Sequence, residues 1–219
     1  MKLLIFDTET TGLPKHKNEA YKGPNNWPHI VSISWVILDT DTNIILRQKT
    51  FIVKPWWIIP EESTKIHGIT QEFAQRHGVK LDFVMNEFLS ETYDVLVAHN
   101  MNFDINVVLN AILWDLKMPC YGFPSKICTM ELSKELCKLP GKYGYKYPKL
   151  KELYFHAFQR MPDETKLHGS LYDVLILTEL IQNHSPLRQV MGLTARNLDN
   201  NNGVHQDRTL YFNFTEDER

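Results

Sequence analysis

Two carboxylates stand two residues apart near the start of the chain, in the segment FDTETTGL (6–13). They are Asp7 and Glu9, and they directly follow the apolar run from Leu3 to Phe6. A run that is apolar at consecutive positions is typical of a strand buried on both faces. Because strand side chains alternate between faces, the two acids emerge on the same side and repel each other unless a cation lies between them. The segment therefore predicts a cation site at the end of a buried strand.

Two further acids lie where a predicted strand ends or a predicted helix begins. Asp104 ends the segment HNMNFD, just after a predicted strand over 94–100. Asp173 ends the segment HGSLYD and lies in the first turn of a strongly apolar helix predicted over 170–182. In an α/β sheet the crevice outside the carboxyl ends of the strands is where ligands bind. We therefore expect these two acids to join Asp7 in one site.

His168 stands five residues before Asp173, which is too far around a helix for both side chains to point the same way. If Ser170 caps the helix, His168 lies in the preceding loop and its imidazole is free to move. A metal ligand has to be fixed, whereas a general base that accompanies a water molecule gains from movement. The spacing thus suggests a ligand role for Asp173 and a base role for His168.

The elements that must position these residues follow from the hydrophobic periodicity. Strands are predicted over 2–9, 30–39, 43–53, 94–100 and 126–128. Helices are predicted over 61–77, 80–92, 103–117 (capped by Asn102), 129–137, 149–157 and 170–182. Three meander strands followed by alternating strand and helix predict a mixed α/β sheet. The segment 14–29 is a long polar loop with several Pro and Gly residues.

The length of 219 residues suits one sizeable domain, which we place at 1–184. Residues 185–219 turn to Asn, Asp and Gly, and we expect a C-terminal extension that docks a partner or is partly disordered. The net charge of −2 provides no global basic field for nucleic acid. Three cysteines without a CxxC pair favour reduced thiols over a zinc site or a disulfide framework. Without a signal layout or a membrane-length run, we expect an intracellular, cytoplasmic or nuclear protein that is not secreted and not membrane-bound.

The three acidic motifs resemble those of the DnaQ-like, DEDDh branch of 3′→5′ exonucleases, which have a ribonuclease H-like fold. FDTETTGL, HNMNFD and HGSLYD occur in the family's order, and the resemblance covers residues 2 to about 184. A sister branch has Tyr four positions before the last acid, where this chain has Gly169. The segments KIHGIT (65–70) and YPKLKELY (147–154) also resemble family stretches. The resemblance implies a mixed five-stranded sheet, with an antiparallel three-strand meander and parallel strands, flanked by helices.

The resemblance also implies the cofactors and the roles of the acids. Asp7, Glu9 and Asp173 would hold one of two Mg²⁺ or Mn²⁺ ions, Asp7 would bridge to the second, and Asp104 would act through bound water. Oxygen ligands suit these hard cations and argue against zinc. His168 would take the proton of the attacking water, since its ordinary pKa near 6.5 suits neutral pH.

Contacts to the terminal nucleotide are implied for a second set of residues, and each has a purely structural alternative. The family suggests that Phe103 and Ile66 flank the terminal base, although both are also ordinary core residues. His67 and Asn100 are expected near the same nucleotide. The backbone near Thr10 and Thr11 is expected to bind the terminal sugar, although their side chains equally suit turn chemistry. His99 is more simply a structural residue at the strand end.

A basic segment over 126–151 contains seven lysines and two glutamates. Within it, KYGYKYPK (142–149) places tyrosines beside lysines, which offers stacking surfaces next to positive charge. We expect Tyr145 and Lys146 to contact nucleic acid. The alternative is a solvated loop whose tyrosines fold onto the helix behind it.

The leading functional hypothesis is a metal-dependent 3′→5′ exonuclease that releases nucleoside 5′-monophosphates from a single-stranded end. DNA is favoured over RNA, because FDTETTGL with KIHGIT is more similar to proofreading members than to degraders of short RNA. An RNA-directed enzyme is one alternative. A non-cutting accessory module that holds a polymerase or a nucleic acid is another, although such modules usually lack one of the acids. The expected partners are a single-stranded DNA or RNA 3′ end and a DNA polymerase or replication assembly, and no oligomeric state is predicted.

Overall fold

A computed structural model describes residues 1–119, 122–123, 125–163 and 169–193. Its main sheet has five strands in the spatial order β3-β2-β1-β4-β5. The strands are β1 (Lys2–Thr10), β2 (Ile30–Asp39), β3 (Ile44–Ile52), β4 (Val95–Ala98) and β5 (Ser125–Cys128). β1 to β3 form an antiparallel meander, whereas β4 pairs with β1 and β5 in parallel. The predicted mixed five-stranded sheet of the ribonuclease H-like fold is therefore confirmed.

Helices cover both faces of the sheet, which explains the continuous apolar run in β1. The helices are α1 (Glu61–His67), α2 (Gln71–His77), α3 (Leu81–Leu89), α4 (Met101–Asn110), α5 (Thr129–Leu132), α6 (Lys134–Cys137), α7 (Leu150–Phe158), α8 (Ser170–Asn183) and α9 (Ser185–Val190). Leu4 and Phe6 face a core that includes residues of α3 and α4. Leu3 and Ile5 face a second core built with α7 and α8. The carboxyl end of β1 thus emerges between α4 and α8.

Three local predictions differ from the structure at helix boundaries. The predicted helix over 61–77 is divided at Gly68, whose left-handed backbone (φ 76°) ends α1. α4 begins after Asn100, which has a left-handed backbone (φ 86°), so Asn102 lies inside the helix and is not its cap. Gly169 precedes α8, and Ser170 is its first helical residue with no capping bond. In each case the backbone conformation, and not the side chain, defines the end of the helix.

The first residues of the predicted C-terminal extension belong to the packed body. α9 directly follows α8, and Leu187, Met191 and Leu193 are buried in the same core as α8. The packed body therefore continues to at least 193, beyond the predicted boundary at 184. The remainder of the extension lies outside the described residues.

None of the helices within the described ranges is long and apolar enough to cross a membrane.

Candidate active site

Three carboxylates converge where β1 ends against α8. Asp7 and Glu9 lie on the face of β1 that is covered by α8, and Asp173 lies in the first turn of that helix. One carboxylate oxygen from each of the three residues lies within 4.8 Å of the others. The structure thus brings together three acids that are as many as 166 positions apart in the sequence (173 minus 7). They form a group that can hold a metal ion.

A cluster of three serines sets the position of Asp173 relative to the strand. Ser32 and Ser34 of β2 lie directly opposite Glu9 and Asp7 in the sheet. The buried Ser170 hydroxyl is 3.0 Å from that of Ser32 and 2.8 Å from that of Ser34. These bonds attach the first residue of α8 to β2, so that the first turn of α8 places Asp173 at the end of β1.

The serine cluster was not predicted, although the sequence carried a signal for it. In IVSISWVILD (30–39) two hydroxyls alternate within a strand that is otherwise apolar. Buried polar side chains require partners, so this alternation indicates a specific contact across one face of the sheet. The partner at Ser170 follows only from the tertiary structure.

The fourth acid, Asp104, approaches β1 from the opposite face. It lies in the first turn of α4 and is almost completely buried. Its Oδ1 accepts hydrogen bonds from the Thr8 backbone N–H at 3.1 Å and the Thr8 hydroxyl at 2.8 Å. Thr8 is the residue between the paired acids of β1. The two helices therefore bracket the end of the strand, each with one acid.

The acids at this site raise one another's pKa values. Burial raises the pKa of Asp7 well above its ordinary value, and the charges of Asp104, Glu9 and Asp173 raise it further. Burial, followed by Asp173 and Asp104, raises the pKa of Glu9 to about 9. Burial raises the pKa of Asp104 to about 7, although the two bonds from Thr8 oppose that shift. Four acids in this environment favour protons or a cation as counter-charge.

A divalent cation with a preference for oxygen fits this group. The donors of Asp7, Glu9 and Asp173 are all carboxylate oxygens, which is the ligand set that Mg²⁺ and Mn²⁺ prefer. The side chains are partly shielded from solvent, so a cation would relieve a repulsion that water screens incompletely. Asp104 contacts Thr8 and stands on the other side of the strand, which suits its predicted action through water.

His168, the predicted general base, lies outside the described residues. Its neighbour Gly169 has an extended backbone (φ −113°, ψ 120°) and precedes α8. The role of His168 as the base stays a prediction.

Thr10 and Thr11, the predicted sugar contacts, use their side chains in the turn that follows β1. The Thr10 hydroxyl donates to the Gly12 carbonyl at 2.7 Å. Thr11 pairs with His29, because its backbone N–H donates to the His29 carbonyl and its hydroxyl accepts from the His29 N–H, both at 3.0 Å. The turn chemistry considered from the sequence is therefore present, and contact with a sugar stays a prediction.

The other predicted nucleotide contacts lie on elements around the same strand end. His67 Nδ1 accepts from the Ile69 N–H at 3.1 Å. Burial lowers the pKa of His67, and the backbone of Thr10 opposes that shift, so the ring lies beside the end of β1. Ile66 is 60% exposed and is not a core residue.

Asn100 and Phe103 lie at the start of α4. Asn100 holds the left-handed conformation before the helix, and its carbonyl accepts from the Phe103 N–H at 2.8 Å. The Phe103 ring is half-buried and its centre lies 5.9 Å from that of the Trp27 ring. It therefore packs against the edge of the core, in line with the alternative that Phe103 is a core residue. Their contact with a base stays a prediction.

The basic segment contains a small hairpin that the sequence did not predict, β6 (Pro140–Gly141) and β7 (Gly144–Tyr145). Tyr143 is 89% exposed at its tip, and Tyr145 and Tyr147 are also exposed. The Lys134 ammonium of α6 lies 5.3 Å from the centre of the Tyr147 ring, so Tyr147 contacts a helix, whereas Tyr143 does not fold back. The Lys146 ammonium forms an ion pair with Glu152, which reduces its availability for phosphate.

His99 connects the base of this hairpin to the sheet. Its Nε2 is 3.0 Å from the Pro148 carbonyl, and its Nδ1 is 3.1 Å from the Thr129 hydroxyl. Burial lowers the pKa of His99 to about 4, and the Pro148 carbonyl only partly opposes the shift. The ring is therefore neutral at pH 7 and occupies a structural position, as expected.

Comparisons with known proteins identify the family of this chain. A family model named RNase_T and described as an exonuclease matches residues 4–181. DNA polymerase III subunit epsilon of Rickettsia conorii is 28% identical over 189 residues, which cover 82% of this chain and 72% of that protein. An uncharacterised exonuclease of Escherichia phage 186 is 30% identical over 178 residues, covering 78% of this chain and 81% of the phage protein. A solved structure of Exonuclease X in complex with 5′ overhanging duplex DNA aligns with a TM-score of 0.56 at 26% identity, covering 88% of this chain and 95% of the other.

Proposed function

The chain belongs to the RNase_T exonuclease family, and we propose that it is a metal-dependent 3′→5′ exonuclease that releases nucleoside 5′-monophosphates from single-stranded DNA. The observation that carries this proposal is the group of three carboxylates, Asp7, Glu9 and Asp173, whose oxygens lie within 4.8 Å of one another. The raised pKa values of Asp7 and Glu9 favour a cation as their counter-charge.

The residues of the chain supply binding, orientation and proton transfer. Asp7, Glu9 and Asp173 would hold two Mg²⁺ or Mn²⁺ ions, with Asp104 acting through water. When bound, such ions polarise the phosphate and lower the pKa of the attacking water. His168 would accept the proton of that water, since a histidine with an ordinary pKa is half-ionised near pH 6.5.

The favoured substrate is single-stranded DNA. The relatives include proteins named as subunits of DNA polymerase III, and a similar solved structure contains DNA, which supports the choice of DNA. The exposed tyrosines and lysines of the hairpin offer stacking surfaces and positive charge for a single strand of either DNA or RNA. We extend the proposal to association with a DNA polymerase in an intracellular replication assembly, on the strength of those subunit names.

The decisive experiment uses 5′-labelled single-stranded DNA and RNA of the same sequence, each with Mg²⁺, Mn²⁺ or EDTA. We expect a metal-dependent ladder that shortens from the 3′ end, DNA cut faster than RNA, and free nucleoside 5′-monophosphates as products. Asp7→Asn and His168→Ala should each slow cleavage by at least about 100-fold. Asp82→Asn, an exposed acid in the first turn of α3, serves as the matched control and should cut normally.

Each failure of that experiment has a defined meaning. Intact DNA with every metal, together with clean binding in a gel shift, would replace the proposal with a non-cutting module. Faster cleavage of RNA would retain the exonuclease and overturn the DNA preference. Equal cleavage in EDTA would refute the metal requirement.

A further inference from the structure

The hairpin of β6 and β7 presents two side chains at its tip, Lys142 and Tyr143. They are the only residues between the paired Gly141 and Gly144. The Tyr143 ring is 89% exposed, and the Lys142 ammonium lies 5.2 Å from its centre. A ring this exposed buries little apolar surface, so it adds little to the stability of the fold. The pair is better explained by a ligand.

Glycines on both sides of the tip meet the conformational demands of the turn. Gly144 has a left-handed backbone (φ 101°), which favours glycine. A Cβ on Gly141 would lie 2.9 Å from the Gly144 carbonyl oxygen, so the two strands approach too closely there for another residue. Short hairpin turns commonly carry Asn, Asp or Gly at the tip itself. Because the flanking glycines take that role, the turn does not require lysine and tyrosine at 142 and 143.

The base of the hairpin is fixed to the body of the protein. The Pro148 carbonyl lies 3.0 Å from His99 Nε2. Glu152 of α7 pairs with the Lys146 ammonium and accepts from the Lys149 N–H at 2.8 Å. The tip therefore stands on a short arm that is braced at three residues. A preformed contact of this kind loses less conformational entropy on binding than a loose loop does.

His99 also relates the hairpin to the carboxylate group. It directly follows β4, which pairs in parallel with β1. The carboxyl ends of parallel strands lie at the same end of a sheet, so the base of the hairpin and the acids of β1 are at one end of the sheet. A nucleic acid strand that ends at the carboxylates can continue along this end towards the hairpin. The residues of this segment predicted to contact it were Tyr145 and Lys146, and not the tip.

A second tyrosine–lysine pair shows what distinguishes the tip. Tyr21 is 61% exposed, and the Lys22 ammonium lies 6.0 Å from the centre of its ring. Lys22 is neutralised by Glu19, whose carboxylate is 2.6 Å away. Within the described ranges, Lys142 forms no ion pair. Its charge is available to a phosphate, next to a ring that is available to a base.

We propose that Lys142 and Tyr143 form a distal subsite for the nucleic acid strand, separate from the contacts to its terminal nucleotide. Tyr143 stacks on a base and Lys142 pairs with a phosphate of the same stretch. Neither contact involves the sugar, so the subsite accepts DNA and RNA. The substrate class is a single strand long enough to extend from the carboxylates to the tip. Dinucleotides and similarly short fragments gain nothing from it.

This subsite deepens the proposed exonuclease function, on which it rests for the reaction that it serves. It makes the enzyme selective for long strands over short fragments. Binding of a long strand does not require cleavage, so the two proposals can fail separately.

The first test measures kcat/KM on single-stranded DNA of increasing length, from a dinucleotide to a strand of about 20 nucleotides. Tyr143→Ala should lower kcat/KM about fivefold to 150-fold on the longest strand, which is the range for loss of one stacked base. On the dinucleotide the variant should equal the wild type. Tyr143→Phe keeps the ring and should behave as the wild type at every length, as should the control Tyr21→Ala. An equal loss at all lengths would assign Tyr143 to the terminal site and overturn the proposal, as would no loss at any length.

The second test measures binding without cleavage. A fluorescent oligodeoxythymidine of about 20 nucleotides is titrated with the full chain in EDTA, and its anisotropy is followed. Tyr143→Ala should weaken binding at least about fivefold with an unchanged melting temperature, because the ring is exposed. Lys142→Gln should reduce the salt dependence of binding, whereas Lys22→Gln should not. Unchanged binding by Tyr143→Ala, or equal salt dependence in the two lysine variants, would overturn the subsite.

The two tests together separate this proposal from the reaction itself. A chain that binds the strand through Tyr143 but never cuts it would refute only the exonuclease. A chain that cuts long and short strands without regard to Tyr143 would refute only the subsite.

Discussion

Replacing Glu9 with glutamine tests whether burying this carboxylate beside other acids destabilises the protein when metal is absent. The pKa of Glu9 rises to about 9 in the folded protein, against an ordinary value of 4.5, mainly because the side chain is buried. The nearby Asp173 and Asp104 add to the shift. Glutamine has nearly the same shape and no charge, so the variant removes the titration and keeps the packing.

The direction of the effect follows from proton binding. The folded protein holds this proton more tightly than the unfolded chain does, so the stabilisation is fully present below pH 4.5 and is lost as pH rises towards 9. Each unit of pH in that window costs about 1.4 kcal/mol. Between about pH 5.5 and 8.5, the free energy of unfolding of the wild type should therefore fall by about 4 kcal/mol more than that of Glu9→Gln.

Metal should reverse this loss in the wild type. Carboxylate ligands bind cations in their ionised form, so Mg²⁺ binding competes with the protons and strengthens as pH rises. At a Mg²⁺ concentration of about 100 times its dissociation constant, the wild type should gain about 2.7 kcal/mol. Glu9→Gln should gain much less, because it has lost one ligand.

Urea unfolding curves at several pH values, in EDTA and in Mg²⁺, measure both effects. Glu62→Gln is the matched control, since Glu62 is an exposed acid in α1 outside the carboxylate group. The control should follow the wild type in every condition. If the wild type in EDTA kept constant stability across this pH range, or if Glu9→Gln lost as much, the argument from the burial of Glu9 among other acids would be wrong. Equal stabilisation of the variant by Mg²⁺ would remove Glu9 from the ligand set.

Three further predictions concern the surroundings of the site. Because burial lowers the pKa of His99 to about 4, its stabilising contribution is full above pH 6.5 and falls away towards pH 4. Between pH 6.5 and 4, the free energy of unfolding in urea experiments should consequently fall by up to about 3 kcal/mol less for His99→Gln than for the wild type. Ser170→Ala should lower the free energy of unfolding by about 1–2 kcal/mol and raise the Mg²⁺ concentration needed for half-maximal cleavage, because two buried hydroxyls lose a partner. The exposed Ser125→Ala is its control in the same assays, and equal behaviour of the two would refute the positioning role. Lys142→Glu should weaken binding of single-stranded DNA and reduce the slope of log affinity against log salt by about 1, whereas Lys146→Gln should have less effect because Lys146 is paired with Glu152. A larger effect at Lys146 in the salt titration would contradict this order.

Local patterns in the sequence predicted the frame of the protein and its chemistry. The apolar run before Asp7 predicted a central strand, and the alternation of side chains placed Glu9 on the same face. The helical periodicity over 103–117 and 170–182 placed Asp104 and Asp173 in the first turns of two helices, where the structure has them. These features depend on neighbours within a few positions, so the sequence determines them directly.

Tertiary structure alone decided how these elements meet. The contact of Ser170 with Ser34 joins residues 136 positions apart, and no local period reports such a pair. α4 begins directly after Asn100, whose backbone is left-handed, and the predicted cap Asn102 instead lies inside the helix, where its Oδ1 accepts from Asn106. The loop between β1 and β2 is held at Ala20 by Asn106 and Trp114, which lie 86 and 94 positions further along the chain. The sequence by itself thus determined which residues can do the chemistry, and long-range packing decided where they stand and what else lies beside them.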